Sequence, residues 1–273
     1  MIKIENVEVM GWEAAIRGMR NPMNSWDKSD SKQIGELLKS EEISPGITRT
    51  YWEPCIPYTS IGENDFALMK KLVNAGTDHR KFMRMITVYL DITAPLYWWK
   101  EFDTYKVGTV ANSCSTMHKI ADKEFTLEDF SCEHLFDFCP NSDTDSRTVL
   151  RYTIGWLNCC REKYLKTKDK EYWWQMIQLL PSSYNQRRTV MLNYEVLANI
   201  YKSRYNHKLD EWHDFCSLIE GLDYSELITA DVVNKKLKIT SYDDNAGPII
   251  PDLTPEQGKE LTDAMSLIRE DKL

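Results

Sequence analysis

The segment that most constrains this chain is Phe82–Ile92, FMRMITVYLDI, in which side chains alternate strictly. Phe82, Arg84, Ile86, Val88, Leu90 and Ile92 fall on one side of a strand, and Met83, Met85, Thr87, Tyr89 and Asp91 on the other. Successive side chains of a strand point to opposite faces, so this period predicts a strand with one face against a core. Thr93 is a candidate N-cap and Pro95 stands near the first turn of the aromatic helix that follows, which runs to about Lys106. The chain then empties into Gly108-Thr109-Val110-Ala111-Asn112-Ser113-Cys114-Ser115. Core packing does not require such a stretch; small polar residues let a ligand approach the backbone.

At 273 residues the chain can bury one large core or two small ones. A net charge of −8 argues against a nucleic-acid-binding surface, while leaving room for a local basic pocket. The start, MIKIENVEV, has no apolar signal-peptide core, and no apolar run reaches the ~18 residues of a membrane span. With seven scattered cysteines and no C-x-x-C, the expectation is a cytoplasmic protein with reduced thiols and no membrane partner. The pairs Trp98-Trp99 and Trp173-Trp174, if helical, place one ring of each on a second surface, as helix or subunit packing would use.

The remaining pattern reads as α+β, a mixed sheet with helices dominant. Lys3–Val9 reads as a strand and Trp12–Arg20 as a helix. Residues 21–62, rich in proline, read as irregular loop. Asn64–Ala75 is an amphipathic helix stopped by Gly76. The stretch from Phe125 to Trp174 reads as helical with a break at Pro140–Asp143, Tyr184–Leu192 as a strand, and Asn193–Arg204 and Asp210–Ile219 as helices. A domain over residues 1–224 and an extension over 225–273 with a helix at Thr254–Arg269 complete the expectation.

A second informative block spans residues 179–215. On a helix, Asn193, Leu197, Ile200 and Arg204 share a face. Two readings of Arg204 stand: a stem covering apolar surface, or a fork gripping a phosphate or a uracil-like edge. Arg187-Arg188 precedes the same helix and is either a solvated pair or a phosphate clamp. His207 and Glu211 are four apart, without the further ligands a zinc site needs. There is no G-x-S-x-G, G-x-G-x-x-G or P-loop.

In order and spacing, residues 1–220 resemble the flavin-dependent (alternative) thymidylate synthase family. The matching parts are an N-terminal strand, a helix bearing Ala14-Ala15-Ile16-Arg17, the Gly76–His79 stretch where the family has Glu-His, the alternating strand and the polar segment. Leu180-Pro181, Asn193, Arg204 and Glu211 follow in the family's order. The family signature reads Arg-His-Arg, two residues, Ser, four residues, Ser, one residue, Arg. Here Thr104-Tyr105-Lys106 stands at the triplet, and Gln175-Met176-Ile177-Gln178 stands where an arginine usually precedes Leu-Pro. The resemblance implies a divergent enzyme that reductively methylates, or otherwise modifies at C5, a deoxyuridylate-type pyrimidine nucleotide. It implies FAD, with NADPH and methylenetetrahydrofolate as co-substrates, and a homo-oligomer, a tetramer in the family. By position, His79, Lys106, Asn112, Ser115 and Asn193 would contact the flavin, and Arg187, Arg204 and Glu211 the nucleotide. The loss of the arginines equally suits a catalytically inactive nucleotide- or protein-binding module on the same fold.

Overall fold

The structure is a computed structural model and describes residues 2–139, 143–240, 242–243 and 247–248. It divides into two compact units, Met1–Ala230 and Asp231–Leu273. In chain order the elements are β1 (Lys3–Met10), α1 (Trp12–Arg20), β2 (Lys32–Ser44), β3 (Ile47–Ser60), α2 (Glu63–Asn74), β4 (Thr87–Pro95), α3 (Leu96–Phe102), β5 (Val110–Ser113) and α4 (Thr116–Lys119). Then come α5 (Ser146–Thr167), α6 (Lys170–Leu179), β6 (Asn185–Asn193), α7 (Tyr194–Arg204), α8 (Asp210–Glu220) and α9 (Glu226–Thr240). The expected α+β fold with helices dominant is found. In the second unit, Tyr242–Asp243 pairs with Gly247–Pro248; the helix expected at Thr254–Arg269 lies outside the described residues.

The central sheet has the order β1-β4-β6-β5, and every described pairing is antiparallel. The alternation of β4 divides its environment as its sequence demands. Val88, Leu90, Ile92 and Ala94 are buried, and Val190 and Leu192 of β6 continue that face. Against it pack Trp98, Trp99 and Phe102 of α3, Leu197 and Ile200 of α7, and Trp212 and Phe215 of α8, all at most 1% exposed. The opposite face carries Tyr89, Asp91, Thr93, Arg187, Thr189, Asn112 and Val110, joined in cross-strand register. A second core, formed by Leu150, Ile154, Leu157 and Cys160 of α5 with Met176 of α6, closes over Ile120, Phe125 and Phe130.

Several elements differ from the sequence expectation. Residues 81–85 form a 3-10 turn rather than the start of the strand, because Phe82 and Met83 are both buried, which strand alternation against one core does not allow. The strand instead runs through Thr93 to Pro95, which itself caps α3, and α3 ends at Phe102 instead of about Lys106. Trp98 and Trp99 are both buried, not divided between two surfaces: Trp98 packs on Trp212 and Trp99 donates to the Gln186 carbonyl at 2.8 Å. Trp174 does keep an exposed ring. Between Phe125 and Asp145 the described chain has only a 3-10 turn at Leu127–Asp129; helix begins at Ser146, where Asp145 accepts from the Thr148 N–H at 2.7 Å.

The largest departure is residues 32–60, expected as loop and found as the β2–β3 hairpin, paired among the described residues only with itself. Ser44-Pro45-Gly46 is its turn, with Gly46 at φ 81. Pro54 and Pro57 argue against a central strand, but a two-stranded ribbon leaves outward-facing positions and irregularities where a missing N–H costs nothing.

Two buried ion pairs lock the helices around the sheet. Arg20 of α1 donates to Asp65 of α2 at 2.6 Å, both nearly inaccessible. Burial alone would raise the Asp65 pKa; the hydroxyls of Ser31 and Ser29 and the Arg20 guanidinium outweigh it and hold the carboxyl below its usual range. Arg80 meets Glu195 of α7 at 2.9 Å. Asp65→Ala strands the Arg20 charge in the interior, so equilibrium denaturation of this variant is expected to show a loss of about 3–5 kcal/mol.

Candidate functional site

β5 lies antiparallel on β6, with Asn112 opposite Thr189 and Ser113 opposite Arg188. The pairing continues past β5, where the Cys114 N–H donates to the Arg187 carbonyl at 2.9 Å. Gln186 then clamps the turn into α4, donating to the Cys114 carbonyl at 2.9 Å and the Thr116 hydroxyl at 3.0 Å. Ser115 caps α4 by accepting from the His118 N–H at 3.2 Å. The two blocks singled out in the sequence are thereby fixed side by side.

Beside this junction opens a cleft of about 470 Å³. One wall comes from Thr93, Cys114, Ser115, Thr116 and residues 184–187; the other comes from residues 119–129. Helix α5 holds the second wall. Asn158 accepts from the Phe125 N–H and donates to the Phe125 carbonyl, each at 2.8 Å, and Arg161 donates to the Ala121 carbonyl at 2.9 Å. Phe125 and Tyr184 give the cleft an aromatic side, and Lys119, Lys123 and Arg187 give it cations. These cations already have carboxylates: Lys119 meets Asp122 at 2.9 Å, Lys123 meets Asp129, and Arg187 meets Asp91 at 2.8 Å.

Asp91 is the anchor of the open sheet face. It accepts from Thr189, from the Asn6 amide at 2.8 Å and from Arg187, and these three donors lower its pKa to about 2. Glu5 adds a second carboxylate 3.6 Å from Arg187.

The other predicted residues are distributed around the molecule. Asn193 caps α7, accepting from the Val196 N–H at 3.0 Å. Its amide sits against Gly108, where φ is 78 and an added Cβ would come within 3.0 Å of it. The Gly108 turn therefore needs glycine both for its backbone conformation and for this close approach. Lys106 is exposed in the same loop.

Arg204 is committed to the fold. It donates to Glu101 at 2.7 Å and to the Tyr105 hydroxyl at 2.9 Å, and its guanidinium lies 4.7 Å from the Trp212 ring centre. Glu101 also accepts from the Trp212 indole at 2.9 Å and faces His207 at 3.3 Å. Glu211 is buried and accepts from the Tyr97 hydroxyl; desolvation, then that carboxylate, pushes the phenol pKa up. His207 precedes α8, so it does not share a helix face with Glu211. His79 stands exposed in the turn after α2. Arg188 turns to the other sheet face, meeting Asp103 at 2.7 Å and lying 4.2 Å from the Trp99 ring centre.

Thus the structure brings Ser115 and Arg187 together in the cleft and sets Asn112 on the adjoining sheet face, while Asn193, Lys106 and Arg204 gather at the 101–109 loop. Sequence reasoning missed Lys119, Lys123, Tyr184 and Gln186 as cleft residues and Glu101 as the partner of Arg204. Asp91 carried a legible signal, an acid in mid-strand on the face opposite the apolar one. The 119–129 wall carried none, since its position depends on hydrogen bonds to α5, more than thirty residues away.

No family model matches the chain, and no curated protein matches it by sequence. Solved structures do match its fold. Thymidylate synthase X (ThyX) from Helicobacter pylori, solved with FAD and dUMP, superimposes with a TM-score of 0.55 at 14% identity, over 83% of this chain and 96% of that one. A second structure of the flavin-dependent thymidylate synthase ThyX from Helicobacter pylori, also with FAD and dUMP, gives 0.53 at 15% identity, over 82% and 96%. The chain has the fold of these flavin-dependent thymidylate synthases.

The Asp91 clamp generates a pH prediction. Because its folded-state pKa lies below the unfolded value, its stabilisation is present above the normal carboxylate range and is lost as pH falls through about 2. Carboxyl NMR titration should place the Asp91 midpoint near 2, and Thr189→Val should move it up towards ~3.9.

Proposed function

We propose that this chain binds a pyrimidine nucleotide in the 470 Å³ cleft and acts on it as a divergent flavin-dependent, thymidylate synthase-like enzyme. The observation that carries this reading is that Cys114–Thr116 and Tyr184–Arg187, distant in sequence, line one cleft on a chain with the ThyX fold. Its volume suits a mononucleotide-sized ligand. Phe125 and Tyr184 offer a surface for a base, Asn185 offers its amide N–H, and Arg187, Lys119 and Lys123 would hold the phosphate.

The cations reach a phosphate by exchanging partners. Lys119 and Asp122 are 70% and 57% exposed, and an exposed ion pair contributes only about 0–1 kcal/mol. A charge-assisted phosphate contact contributes about 1.5–3 kcal/mol, so the exchange favours the ligand. Arg204 does not take this role: its own side chain is only 17% exposed, against 46% for Arg187 and 72% for Lys123, and Glu101 binds it together with the Trp212 indole. Its part is to brace the 101–109 loop, which carries Lys106 and abuts Asn193.

The residues suit a flavin in part. Asn112, Ser115 and Lys106 offer exposed donors, while the space beside Gly108 is taken by Asn193 and Val196. A bound flavin would supply the hydride of a reductive methylation, with methylenetetrahydrofolate as carbon donor and NADPH as the source of electrons. The chain's own residues would orient the pyrimidine between Tyr184 and the Asn185 amide and hold its phosphate. Since these donors lie on an open face, the reading includes a homo-oligomer in which a second copy completes the site.

A second reading, a nucleotide-binding module without catalysis, is favoured by Thr104-Tyr105-Lys106 in place of the family's arginine triplet. Purified protein should absorb near 450 nm or acquire that absorbance on adding FAD, and should bind dUMP by calorimetry. Nucleotide binding by a protein that stays colourless selects the second reading; binding of neither overturns both. Arg187→Ala should weaken dUMP binding by roughly 10–100-fold, the equivalent of about 1.4–2.8 kcal/mol.

A further inference from the structure

A cleft tells one base from another by donors and acceptors whose polarity is fixed. The hydroxyls of Thr93 and Ser115 rotate, so each can donate or accept and neither discriminates. The carboxylates Asp122, Glu128 and Asp129 stand on the 119–129 wall with the lysines. Asp122 is paired with Lys119 and Asp129 with Lys123, which assigns that wall to the phosphate rather than to the base edge. Side-chain amides remain, and an amide has a donor at one end and an acceptor at the other.

Two amides line the cleft, Asn185 and Gln186. Gln186 is spent at both ends. Its oxygen accepts from Arg188 at 3.0 Å, and its nitrogen donates to the Cys114 carbonyl at 2.9 Å and to the Thr116 hydroxyl at 3.0 Å. Asn185 is spent at one end only. Its Oδ1 accepts from the Ser131 hydroxyl at 3.0 Å, and its Nδ2 has no protein partner among the described residues. Ser131 is 6% exposed, and its own N–H donates to the Ser183 carbonyl at 2.8 Å, so the hydroxyl that holds the amide is itself anchored beside the start of β6. With its oxygen turned to Ser131, the half-buried amide leaves its N–H groups for the cleft.

We propose that Asn185 sets the base specificity of the cleft, selecting a pyrimidine with an oxygen at C4, the uracil type, against one with an amino group there, the cytosine type. Ser131 is the positioning residue that fixes the polarity of the amide. The inference rests on the nucleotide reading of the cleft.

The discrimination follows from hydrogen-bond polarity. The uracil O4 accepts from Nδ2. The cytosine amino group would set donor against donor, and both would lose water without gaining a partner. Stranding a half-buried donor in this way weakens binding by roughly 5–150-fold. Specificity of this kind comes from the penalty on the wrong ligand, so it depends on the amide being unable to turn over. The buried Ser131 hydroxyl supplies that restraint.

Titration calorimetry of the full chain with dUMP and with dCMP tests both residues. The wild type should bind dUMP at least ~10-fold more tightly than dCMP. Asn185→Ala should weaken dUMP and bring the two affinities together. Asn185→Asp, whose ionised carboxyl only accepts, should reverse the preference. Ser131→Ala frees the amide to turn, so dCMP should bind more tightly than it does to the wild type, a gain that damage to the fold does not produce. Equal affinities in the wild type would mean that the amide meets O2, which both bases share, and would overturn the inference while leaving the nucleotide reading in place. A wild-type preference for dCMP would mean that the amide is turned, with Ser131 donating to the Tyr97 oxygen instead, and overturns it equally. An affinity ratio unchanged by Asn185→Ala does the same. Binding of neither nucleotide by the wild type removes the nucleotide reading and this inference with it. If Asn185→Ala does not fold, the ratios of Asn185→Asp and Ser131→Ala decide.

Discussion

β4 is paired on both edges, with β1 on one side, irregularly between Glu5 and Glu8, and β6 on the other, so most of its backbone polar groups are spent within the sheet. Such a strand cannot slip by one residue without turning its apolar set to solvent and Asp91 into the core. That constraint fixes the rest of the first unit. The side of Val88, Leu90 and Ile92 must be covered, and α3, α7 and α8 cover it with an aromatic layer of Trp98, Trp99, Phe102, Trp212 and Phe215. The opposite side is left to polar register pairs, and there the carboxylate of Asp91 organises Asn6, Thr189 and Arg187.

Arginines in this chain differ in role according to their own burial. Arg20 and Arg80 face carboxylates in the interior, and each pair holds elements that are remote in sequence. Arg204 is intermediate, fixed by Glu101, Tyr105 and two aromatic rings. Arg187 is held by its partners but remains accessible, with 46% of its side chain exposed. Desolvation makes the interior pairs structural and leaves exchange with a ligand to the accessible one. The same guanidinium chemistry thus serves architecture at one depth and recognition at another.

Much of this was legible in the sequence where one local rule dominates. Trp12–Arg20, Asp210 as a helix start and the apolar face of β4 follow from period alone, whereas Asn193, expected inside the helix, ends β6 and caps α7. Phe82 and Met83 show the limit, because two buried neighbours break the strand period, and only the packed core shows that both are needed inside. The β2–β3 hairpin was obscured by prolines, whose meaning depends on whether a second neighbouring strand exists. In the candidate site, the segment ending at Ser115 stood out by composition. The commitment of Arg204 did not, because Glu101 lies 103 positions away and nothing local announces the pair.

Among the described residues the β2–β3 hairpin has no neighbouring strand on either outer edge, and Trp52 and Leu38 sit on it 63% and 58% exposed. Such a ribbon would ordinarily invite other chains to add strands and seed aggregates. Pro54 and Pro57 interrupt the donors along β3, and the Lys39–Glu53 pair charges the ribbon. Colloidal solubility of this chain consequently depends on a few residues outside the cleft lining, and a change that restores an N–H at Pro54 would be felt first as precipitation rather than as lost binding.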